Sequence, residues 1–324
     1  MLFQSGRSRH LLTPGALFLL LLLLAGCATQ TRSLLQHAPQ AMPRQAELRT
    51  TPFFPQERYQ CGPAALAMTL NAAGISITPE ALVSQVYVPQ REGSLQPEML
   101  AAGRRSGALS MTIAPRMDAL LTEIGAGNPV LVLQNLGLQW APLWHYAVVI
   151  GYDLDREEVI LRSGVTRREV MPLSTFEHTW ARSNFWGMVA LPAGRLPATA
   201  DEASVAAALV ALEKSSTPAN AQQAYETALR RWPRNITLRL GYGNAEYAQG
   251  NRVAAAAAYR RATEEHPDSA PAFNNLATVL AELGQFDQAR LAAERAVTLG
   301  GPWRNAAYAT LQSIEAAQRS NQQK

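Results

Sequence analysis

Two side chains in this sequence have the types and surroundings needed for nucleophilic chemistry, a cysteine and a histidine. Cys61 is followed by Gly62 and Pro63 and then by a run of strong helix formers. A proline suits the first turn of a helix, so Cys61 is predicted to lie at a helix N-terminus. The unpaired N–H groups there favour an anion, which would lower the pKa of the thiol and make Cys61 a nucleophile. The alternative is a buried structural cysteine.

A nucleophilic cysteine needs a base, and His145 and His178 are the candidates in the same region. The other histidines lie near the N-terminus or in the helical C-terminal region: His10, His37 and His266. His145 begins an apolar segment typical of a buried strand, so the strand can anchor the ring at the edge of a cleft. His178 lies in a helix or loop position. We therefore favour His145 as the base, with Trp144 beside it as a candidate wall of the cleft.

The chain over residues 51–192 is predicted to fold as an α+β domain that holds these residues. Helices come first and an antiparallel sheet follows, with Gly, Asp and Pro marking the turns. The predicted helices start at Pro63 and span 79–86, 96–105 and 117–124, and the predicted strands span 129–134, 145–152, 157–162 and 186–191. Most tryptophans of this domain, including Trp140 and Trp180, are expected in its core.

Two blocks in this domain resemble the bacteriocin-processing peptidases of the double-glycine leader type, a papain-like cysteine peptidase family. The blocks are Gln-x4-Cys-Gly-Pro-Ala-Ala-Leu-Ala-Met around Cys61 and His-Tyr-Ala-Val-Val-Ile-Gly-Tyr-Asp from His145. Stand-alone lipoproteins with a C-terminal extension are the most similar members. The resemblance implies a papain-like fold in which Cys61 is the nucleophile and His145 the general base. It also implies an upstream glutamine in the oxyanion hole and an aspartate on the next strand that orients the histidine.

The glutamine has two candidates. Gln56 is the favoured oxyanion donor, together with the backbone N–H of Cys61. It stands one residue closer to the cysteine than is usual in papain-like enzymes. Gln60 is the competing candidate, but its position directly before Cys61 is expected to turn its side chain away.

The orienting residue is where the sequence departs from the family. Ser163 stands at the position of the aspartate, at the end of the second strand of the predicted hairpin. Asp153 and Asp155 are acidic, but they fall in the hairpin turn and are expected to be turn residues. Either Ser163 or a backbone carbonyl orients His145 and a Cys–His dyad suffices, or the domain has lost its activity.

The N-terminus has the features of an export signal. Arg7 and Arg9 precede an apolar run over residues 16–24, which is too short to span a bilayer comfortably. The run ends in Leu-Ala-Gly-Cys at Cys27, which resembles the lipobox of bacterial lipoproteins. The resemblance implies that residues 1–26 are cleaved and that Cys27 is acylated. The alternative is an ordinary signal peptide with an incidental cysteine.

The same resemblance predicts where the mature protein lies. Residues 27–50 are polar with few large apolar side chains, and we interpret them as a tether. Ala28, rather than an aspartate, follows the cysteine, which implies export to the outer membrane of a Gram-negative cell envelope. Three acyl chains would suffice for stable anchoring.

Composition excludes several other classes of function. The net charge is +4, from 29 basic and 25 acidic residues, which is too dilute for a nucleic-acid interface. Two cysteines and scattered histidines lack the spacing of a zinc site, and no phosphate-binding glycine loop is present. We therefore expect no metal, no cofactor and no nucleic-acid partner.

The C-terminal third repeats with a period of 34 residues. Tyr225 matches Tyr259, and Gly250 matches Gly284, as in the tetratricopeptide repeat, which this region resembles. After a linker over residues 193–203, an all-α array is predicted over 204–320. It would contain a weak first repeat at about 202–235, two clear repeats at 236–269 and 270–303, and a capping helix.

Such arrays usually bind peptides or proteins on their concave face. Asn244, Asn274 and Asn275 are the candidate partner-binding residues, because they resemble the asparagines that hold carboxylates in peptide-binding repeats. Asn-Asn-Leu is also common repeat filler, and the array could instead only pack on the first domain.

Three functional hypotheses follow. The first is a membrane-anchored cysteine peptidase that cleaves a peptide bond through Cys61 and His145, while the repeats bind the substrate or a partner protein. The second is a catalytically inactive, peptidase-like scaffold lipoprotein, which the serine at position 163 favours. The third is an amidase or acyltransferase that uses the same Cys–His chemistry.

Overall fold

The computed structural model of the protein describes residues 28–55 and 60–322. The predicted signal peptide, the predicted acylation site Cys27 and the predicted oxyanion donor Gln56 lie outside the described residues. Within the described residues, no helix combines the length and the apolar character needed to cross a membrane.

The first domain is built on an antiparallel sheet. In the described part of the chain, seven strands form it in the order β4-β9-β5-β6-β7-β8, with β1 paired to the far end of β6. A separate two-stranded hairpin joins β2 to β3. The strands are β1 (Gln45–Glu47), β2 (Tyr87–Val88), β3 (Gly93–Ser94), β4 (Leu109–Thr112), β5 (Val130–Asn135), β6 (Trp144–Asp153), β7 (Glu158–Ser163), β8 (Thr166–Pro172) and β9 (Gly187–Leu191).

Helices cover both faces of this sheet. They are α1 (Thr29–His37), α2 (Cys61–Ala72), α3 (Pro79–Val86), α4 (Gln96–Arg105), α5 (Met117–Gly125) and α6 (Leu173–Ala181), with a short 3-10 helix at Pro89–Arg91. Alternate residues of each central strand face opposite sides, so Tyr146 and Val148 of β6 pack with α2, α3 and α4. Ala147 and Val149 pack with α5 and α6 on the other face. The α+β fold predicted for this domain is confirmed.

Residues 27–50 do not form the predicted tether over their described part. Helix α1 packs on α5 and α6 through the buried Leu34, and the Glu177 carboxylate accepts the backbone N–H groups of Gln30 and Thr31 at 3.0 and 2.7 Å. A carboxylate at a helix N-terminus stabilises that helix. Strand β1 then joins the main sheet. The segment looked like a tether because a helix that buries so few apolar residues has little periodicity, and its cap comes from a distant element.

The C-terminal region is an array of antiparallel helix pairs, as predicted. The pairs are α7 (Glu202–Glu213) with α8 (Pro218–Arg231), α9 (Ile236–Ala248) with α10 (Arg252–Glu265), and α11 (Ala270–Glu282) with α12 (Phe286–Leu299). A 3-10 turn at Gly301–Trp303 leads to the capping helix α13 (Arg304–Gln322). Small residues let the helices approach closely: a Cβ on Gly241 would overlap the ring of Tyr225.

The array is joined to the first domain by a shared core. Helix α7 packs against β4 and α4, and Leu209 and Tyr225 belong to the same buried cluster as the sheet residues Val130 and Val149. The linker predicted over residues 193–203 is itself partly buried. The two parts of the chain therefore pack as one body.

Candidate active site

Cys61 is the first residue of α2, and its side chain is half-buried. The start of this helix lies directly against strand β3. A Cβ atom on Gly62 would be only 2.6 Å from the Cβ of Ser94, so the packing requires a glycine at position 62. This close contact sets the position of the thiol relative to β3.

His145 lies near the start of β6, opposite Gln134 of β5. Its Nε2 atom is 3.0 Å from the Oγ of Ser163 on β7, and either group can donate, depending on the ring tautomer. The two strands pair Val148 with Arg162, so Ser163 reaches the imidazole diagonally across the strands. The structure therefore brings His145 and Ser163 together in the way that an orienting contact requires.

Cys61 and His145 line one cleft. Its volume is about 810 Å³, and it lies between the start of α2, the β2–β3 hairpin and the first residues of β6. The side chains around it also include Arg91, Glu92, Ser94, Leu143, Trp144 and Arg182. Trp144 is thus a wall of the cleft, as its neighbour His145 suggested, although it is half-exposed and not in the core.

Burial raises the pKa of the Cys61 thiol above its ordinary value. The backbone N–H groups of Tyr146, Gly62 and Cys61 itself act in the opposite direction, and two of these belong to the start of α2. The expected effect of the helix N-terminus is therefore present, but the expectation of a lowered thiol pKa is wrong. The free-energy cost of removing a thiolate from water is larger here than the stabilisation that the N–H groups at the helix end provide.

Burial also lowers the pKa of His145, while the negative charge of Glu169 on β8 raises it in part. Both shifts favour uncharged groups near neutral pH, a thiol and a neutral imidazole. A neutral imidazole has a free lone pair that can accept the thiol proton. The pair is arranged for general-base activation of the thiol and not as a resting ion pair.

Comparison with known proteins agrees with this geometry. Residues 45–188, which contain Cys61 and His145, match the model described as the Peptidase_C39 like family. The chain carries a Peptidase_C39-like domain. Residues 205–270 and 258–291 of the C-terminal array match two tetratricopeptide repeat models. No curated protein matched the chain.

Solved structures similar to each part of the chain are distant. A crystal structure of a protein assigned as a C39-like peptidase from Bacillus anthracis is 18% identical, with a TM-score of 0.39, and the match covers 45% of this chain and 97% of that one. The crystal structure of the Sgt2 TPR domain from Aspergillus fumigatus is also 18% identical, with a TM-score of 0.36, and covers 38% of this chain and 82% of that one.

The C39-like domain contains site residues that the sequence analysis missed. Tyr146 joins three elements, because its backbone N–H faces the Cys61 thiol, its hydroxyl donates to the Ser94 carbonyl at 3.1 Å and its ring packs edge-on against Trp186. Glu169 was missed because strand β8 is mostly polar and exposed and so lacks a hydrophobic signal. The Ser-Gly turn after β7 was the available hint of a second hairpin.

None of the other candidates among the described residues lines the cleft. His178 is exposed on α6 and does not line the cleft. Asp153 accepts the backbone N–H groups of Asp155 and Arg156 at 2.9 and 3.0 Å, which is the behaviour of a turn residue. Gln60 is half-buried, and its carbonyl accepts the N–H of Ala64 in the first turn of α2. Over residues 28–55 and 60–322, no cluster of three His, Cys, Asp or Glu side chains is placed to hold a metal ion.

The three asparagines of the repeats have different surroundings. The Oδ1 atom of Asn244 accepts the Tyr259 hydroxyl at 2.8 Å and lies 3.5 Å from the amide nitrogen of Asn275, so these two residues are neighbours on adjacent repeats. Asn274 is buried, and its Oδ1 accepts the Thr310 hydroxyl of α13 at 2.9 Å. Asn274 therefore attaches the capping helix, and its role in partner binding stays a prediction.

Proposed function

We propose that this protein is a cysteine peptidase that hydrolyses a peptide bond through Cys61 and His145. The observation that carries the proposal is the shared cleft, in which the thiol at the start of α2 and the imidazole on β6 face the same space. The match to the C39-like family supports the same reaction class.

In this mechanism His145 acts as the general base. Its Nε2 is held by Ser163, so Nδ1 is the nitrogen that takes the Cys61 proton while Sγ attacks the substrate carbonyl carbon. The same proton then passes to the leaving amine, and the acyl group remains on sulfur as a thioester. Water, deprotonated by His145, attacks the thioester and releases the acid and the free thiol.

The oxyanion that forms in each step needs two donors. The backbone N–H of Cys61 is one, and the side chain of Gln56 is the proposed second donor. Loss of one such donor typically costs a hundredfold or more in turnover.

The tetratricopeptide repeats support protein–protein interaction. We assign them the recruitment of the protein substrate or of a partner, with Asn244 and Asn275 as the polar contacts. The shared core would then hold the recruited chain at a fixed position relative to the cleft.

The lipid anchor and the location are part of the same proposal. Acylation at Cys27 would place the enzyme in the bacterial cell envelope, at the outer membrane. The apolar run over residues 16–24 and the Leu-Ala-Gly-Cys sequence support it.

A peptidase-like scaffold without activity is the second candidate. Ser163 in place of an aspartate and the raised pKa of Cys61 favour it, because both weaken activation of the thiol. An amidase or acyltransferase would use the same pair of residues on another acyl group.

Alkylation of Cys61 tests the pair directly. In a Cys27→Ser chain, iodoacetamide reacts with the single remaining thiol, and we expect His145→Ala to slow alkylation near neutral pH by tenfold or more. We expect Ser163→Ala to slow it less and Ser174→Ala, an exposed serine on α6, to leave it unchanged. Equal rates with and without His145 would contradict the enzyme proposal.

Hydrolysis is then tested with a pool of peptides from a digested bacterial lysate, with new termini detected by mass spectrometry. We expect new termini with the wild-type chain and none with Cys61→Ser. Reactive Cys61 without any cleavage would favour the amidase or acyltransferase, and unreactive Cys61 would favour the scaffold.

A further inference from the structure

Among the described residues of the C39-like domain, the loop between β5 and β6 carries the largest group of exposed apolar side chains. Residues 136–144 contain no charged side chain. Trp140 at its tip is 82% exposed, and its exposed neighbours are Leu136, Leu138, Leu143 and Trp144. Exposed clusters of large apolar residues on a folded protein mark interaction surfaces. We call residues 136–144 the apolar loop.

Internal hydrogen bonds hold the backbone of the apolar loop in place. Leu136 donates its N–H to the Leu143 carbonyl at 2.9 Å, and Leu138 and Ala141 bond each other across the tip at 3.1 and 3.2 Å. The Asn135 side chain accepts two further backbone N–H groups, those of Gly137 and Leu143. Backbone groups that are already paired can enter an apolar medium at low cost. The loop therefore presents its tryptophan and leucines without having to fold first.

The loop has two sides with different surroundings. Leu143 and Trp144 line the cleft that contains Cys61, whereas Leu136, Leu138 and Trp140 do not. A surface for the substrate alone would turn its apolar side chains into the cleft. We therefore expect Leu136, Leu138 and Trp140 to contact an apolar partner other than the substrate.

Helix α6 contacts both the start of α1 and the base of the apolar loop. Glu177 of α6 holds the backbone N–H groups at the start of α1, which begins two residues after Cys27. Arg182 at the end of α6 donates to the carbonyls of Asn135 and Gly137 at the base of the loop, at 3.1 and 2.6 Å. Arg182 follows Glu177 by five residues, which is about 8 Å along the helix axis.

We propose that the apolar loop inserts into the surface of a phospholipid membrane, beside the anchor that enters the bilayer at Cys27. The proposal rests on acylation of Cys27. Because no tether separates Cys27 from the folded domain, the domain must lie against the lipid, and the loop is the apolar surface next to the attachment point. Tryptophan is enriched at membrane–water interfaces. The mouth of the cleft would then open at the membrane surface, where a membrane-associated polypeptide can reach Cys61.

Tryptophan quenching in vesicles tests the insertion. The full chain, expressed with its own leader, is reconstituted into phosphatidylcholine–phosphatidylglycerol vesicles whose acyl chains carry bromine, a short-range quencher. The leader contains no tryptophan, so quenching reports on the folded domains. We expect brominated vesicles to lower the emission of the wild-type chain and Trp140→Gln to remove most of that difference. Trp303→Gln, which alters an exposed tryptophan of the repeats, is the matched control and is expected to leave the difference unchanged.

Several outcomes would overturn the proposal. Equal emission in brominated and plain vesicles would show that the loop stays outside the lipid. A raised KM for peptide hydrolysis in lipid-free detergent with Trp140→Gln, without quenching in vesicles, would make the loop a substrate surface. A halved sedimentation mass of that variant in detergent would make it a contact between two copies of the chain.

The intact mass of the same preparation separates the two parts of the proposal. An acylated chain without quenching refutes the loop insertion alone. A chain that lacks acyl groups and does not bind vesicles refutes the anchored arrangement, whereas hydrolysis of peptides in detergent still measures the enzyme independently. Quenching that depends on Trp140 in a chain without acyl groups would support insertion by the loop itself, with about a tenfold loss of vesicle binding in Trp140→Gln.

Discussion

Burial favours the uncharged form of both Cys61 and His145. The pKa of the thiol lies above its ordinary value and the pKa of the imidazole lies below its ordinary value. The resting pair is then a neutral thiol beside a neutral imidazole, and the imidazole takes the thiol proton as sulfur attacks. Activity is expected to fall as the pH falls through the lowered pKa of His145, because protonation removes the base. Hydrolysis should also fall at alkaline pH once the thiol ionises by itself, because the imidazole then has no proton to give to the leaving amine.

Glu169 is the charge that modulates this behaviour. Its carboxylate raises the pKa of His145, so Glu169→Gln removes that effect and lets burial lower the pKa further. We expect the acid limb of the pH profile of kcat/KM to move to lower pH in this variant. The profile is measured by peptide hydrolysis or, without a known substrate, by the pH dependence of iodoacetamide labelling.

Glu158→Gln is the matched control for this measurement. Glu158 is an acidic residue of the neighbouring strand β7, and it does not contribute to the shift of His145. Its replacement is expected to leave the acid limb in place. An unmoved acid limb in Glu169→Gln, or an equal movement in Glu158→Gln, would show that Glu169 does not act on the base.

At the scale of elements, the site depends on how the start of α2 fits beneath β3. The side chain of Ser94 occupies the space that a Cβ at position 62 would need, so only glycine fits there. Tyr146 of β6 donates its backbone N–H to the Cys61 thiol and its hydroxyl to the Ser94 carbonyl. Three elements thus fix the position of one sulfur atom. The fit is close, so a single methyl group is enough to disturb it.

Gly62→Ala tests this fit. The added methyl group would force α2 away from β3, and we expect a loss of about 1–3 kcal/mol in the free energy of unfolding. The alkylation rate of Cys61 should change as well, because the thiol moves relative to His145. Urea unfolding and iodoacetamide labelling measure the two effects.

Two further variants show whether the contact with Ser94 is the cause. Ser94→Gly removes the side chain that the methyl group would meet, so the double variant should recover part of the stability and of the labelling rate. Gly93→Ala adds a methyl group in the same hairpin with 3.6 Å to its nearest neighbour, and we expect little effect. A double variant no better than Gly62→Ala would contradict the assigned contact.

At the scale of the whole molecule, the C39-like domain and the repeats are joined by a buried carboxylate. Glu123 of α5 accepts the backbone N–H groups of Ala198 and Thr199 at 3.1 and 2.7 Å. It also accepts the Thr199 hydroxyl and the Asn128 amide, both at 2.6 Å. The linker is therefore bound to the first domain just before the first repeat begins.

Glu123→Gln should loosen this junction. Hydrogen bonds to a charged group contribute about 1.5–3 kcal/mol each. The amide has the shape of the carboxylate, but its NH2 group cannot accept the two hydrogen bonds that one carboxylate oxygen receives. We expect a loss of about 2 kcal/mol in the free energy of unfolding and faster proteolysis within residues 193–203. Limited trypsin digestion, with sequencing of the new N-termini, locates the cleavage.

Glu226→Gln is the control for the junction. Glu226 is exposed on α8 and forms a surface ion pair with Arg230, so its replacement should change stability by less than about 1 kcal/mol. Cleavage outside the linker, or equal digestion of the two variants, would show that Glu123 does not hold the two parts together.

Much of the architecture was predictable because its signals are local. The helices that begin at Pro79, Gln96 and Met117 start near the predicted positions, and the 34-residue period predicted every helix pair of the repeats. Helix caps and repeat periods depend on neighbours along the chain, which a sequence displays directly. The sequence also led to Cys61, His145 and Ser163. The fold places Cys61 and His145 on one cleft and brings Ser163 into contact with His145.

Other features depend on contacts between distant residues. Helix α1 is stabilised by Glu177 and strand β8 is set by pairing with β7, so neither has a strong signal of its own. The prediction that Trp140 lies in the core was wrong for the same reason. The hydrophobicity of a residue does not show which surface its loop faces.

The sequence by itself determined the order of the two parts, the pairing of a helix-start cysteine with a strand histidine, and the repeat count. Only the tertiary structure decided the direction of the Cys61 pKa shift, since burial reversed the shift expected from the helix N-terminus. It also decided that the supposed tether and linker are packed, and that the β5–β6 loop leaves its large apolar side chains exposed. These properties follow from desolvation and from long-range packing, which arise only when distant segments are brought together.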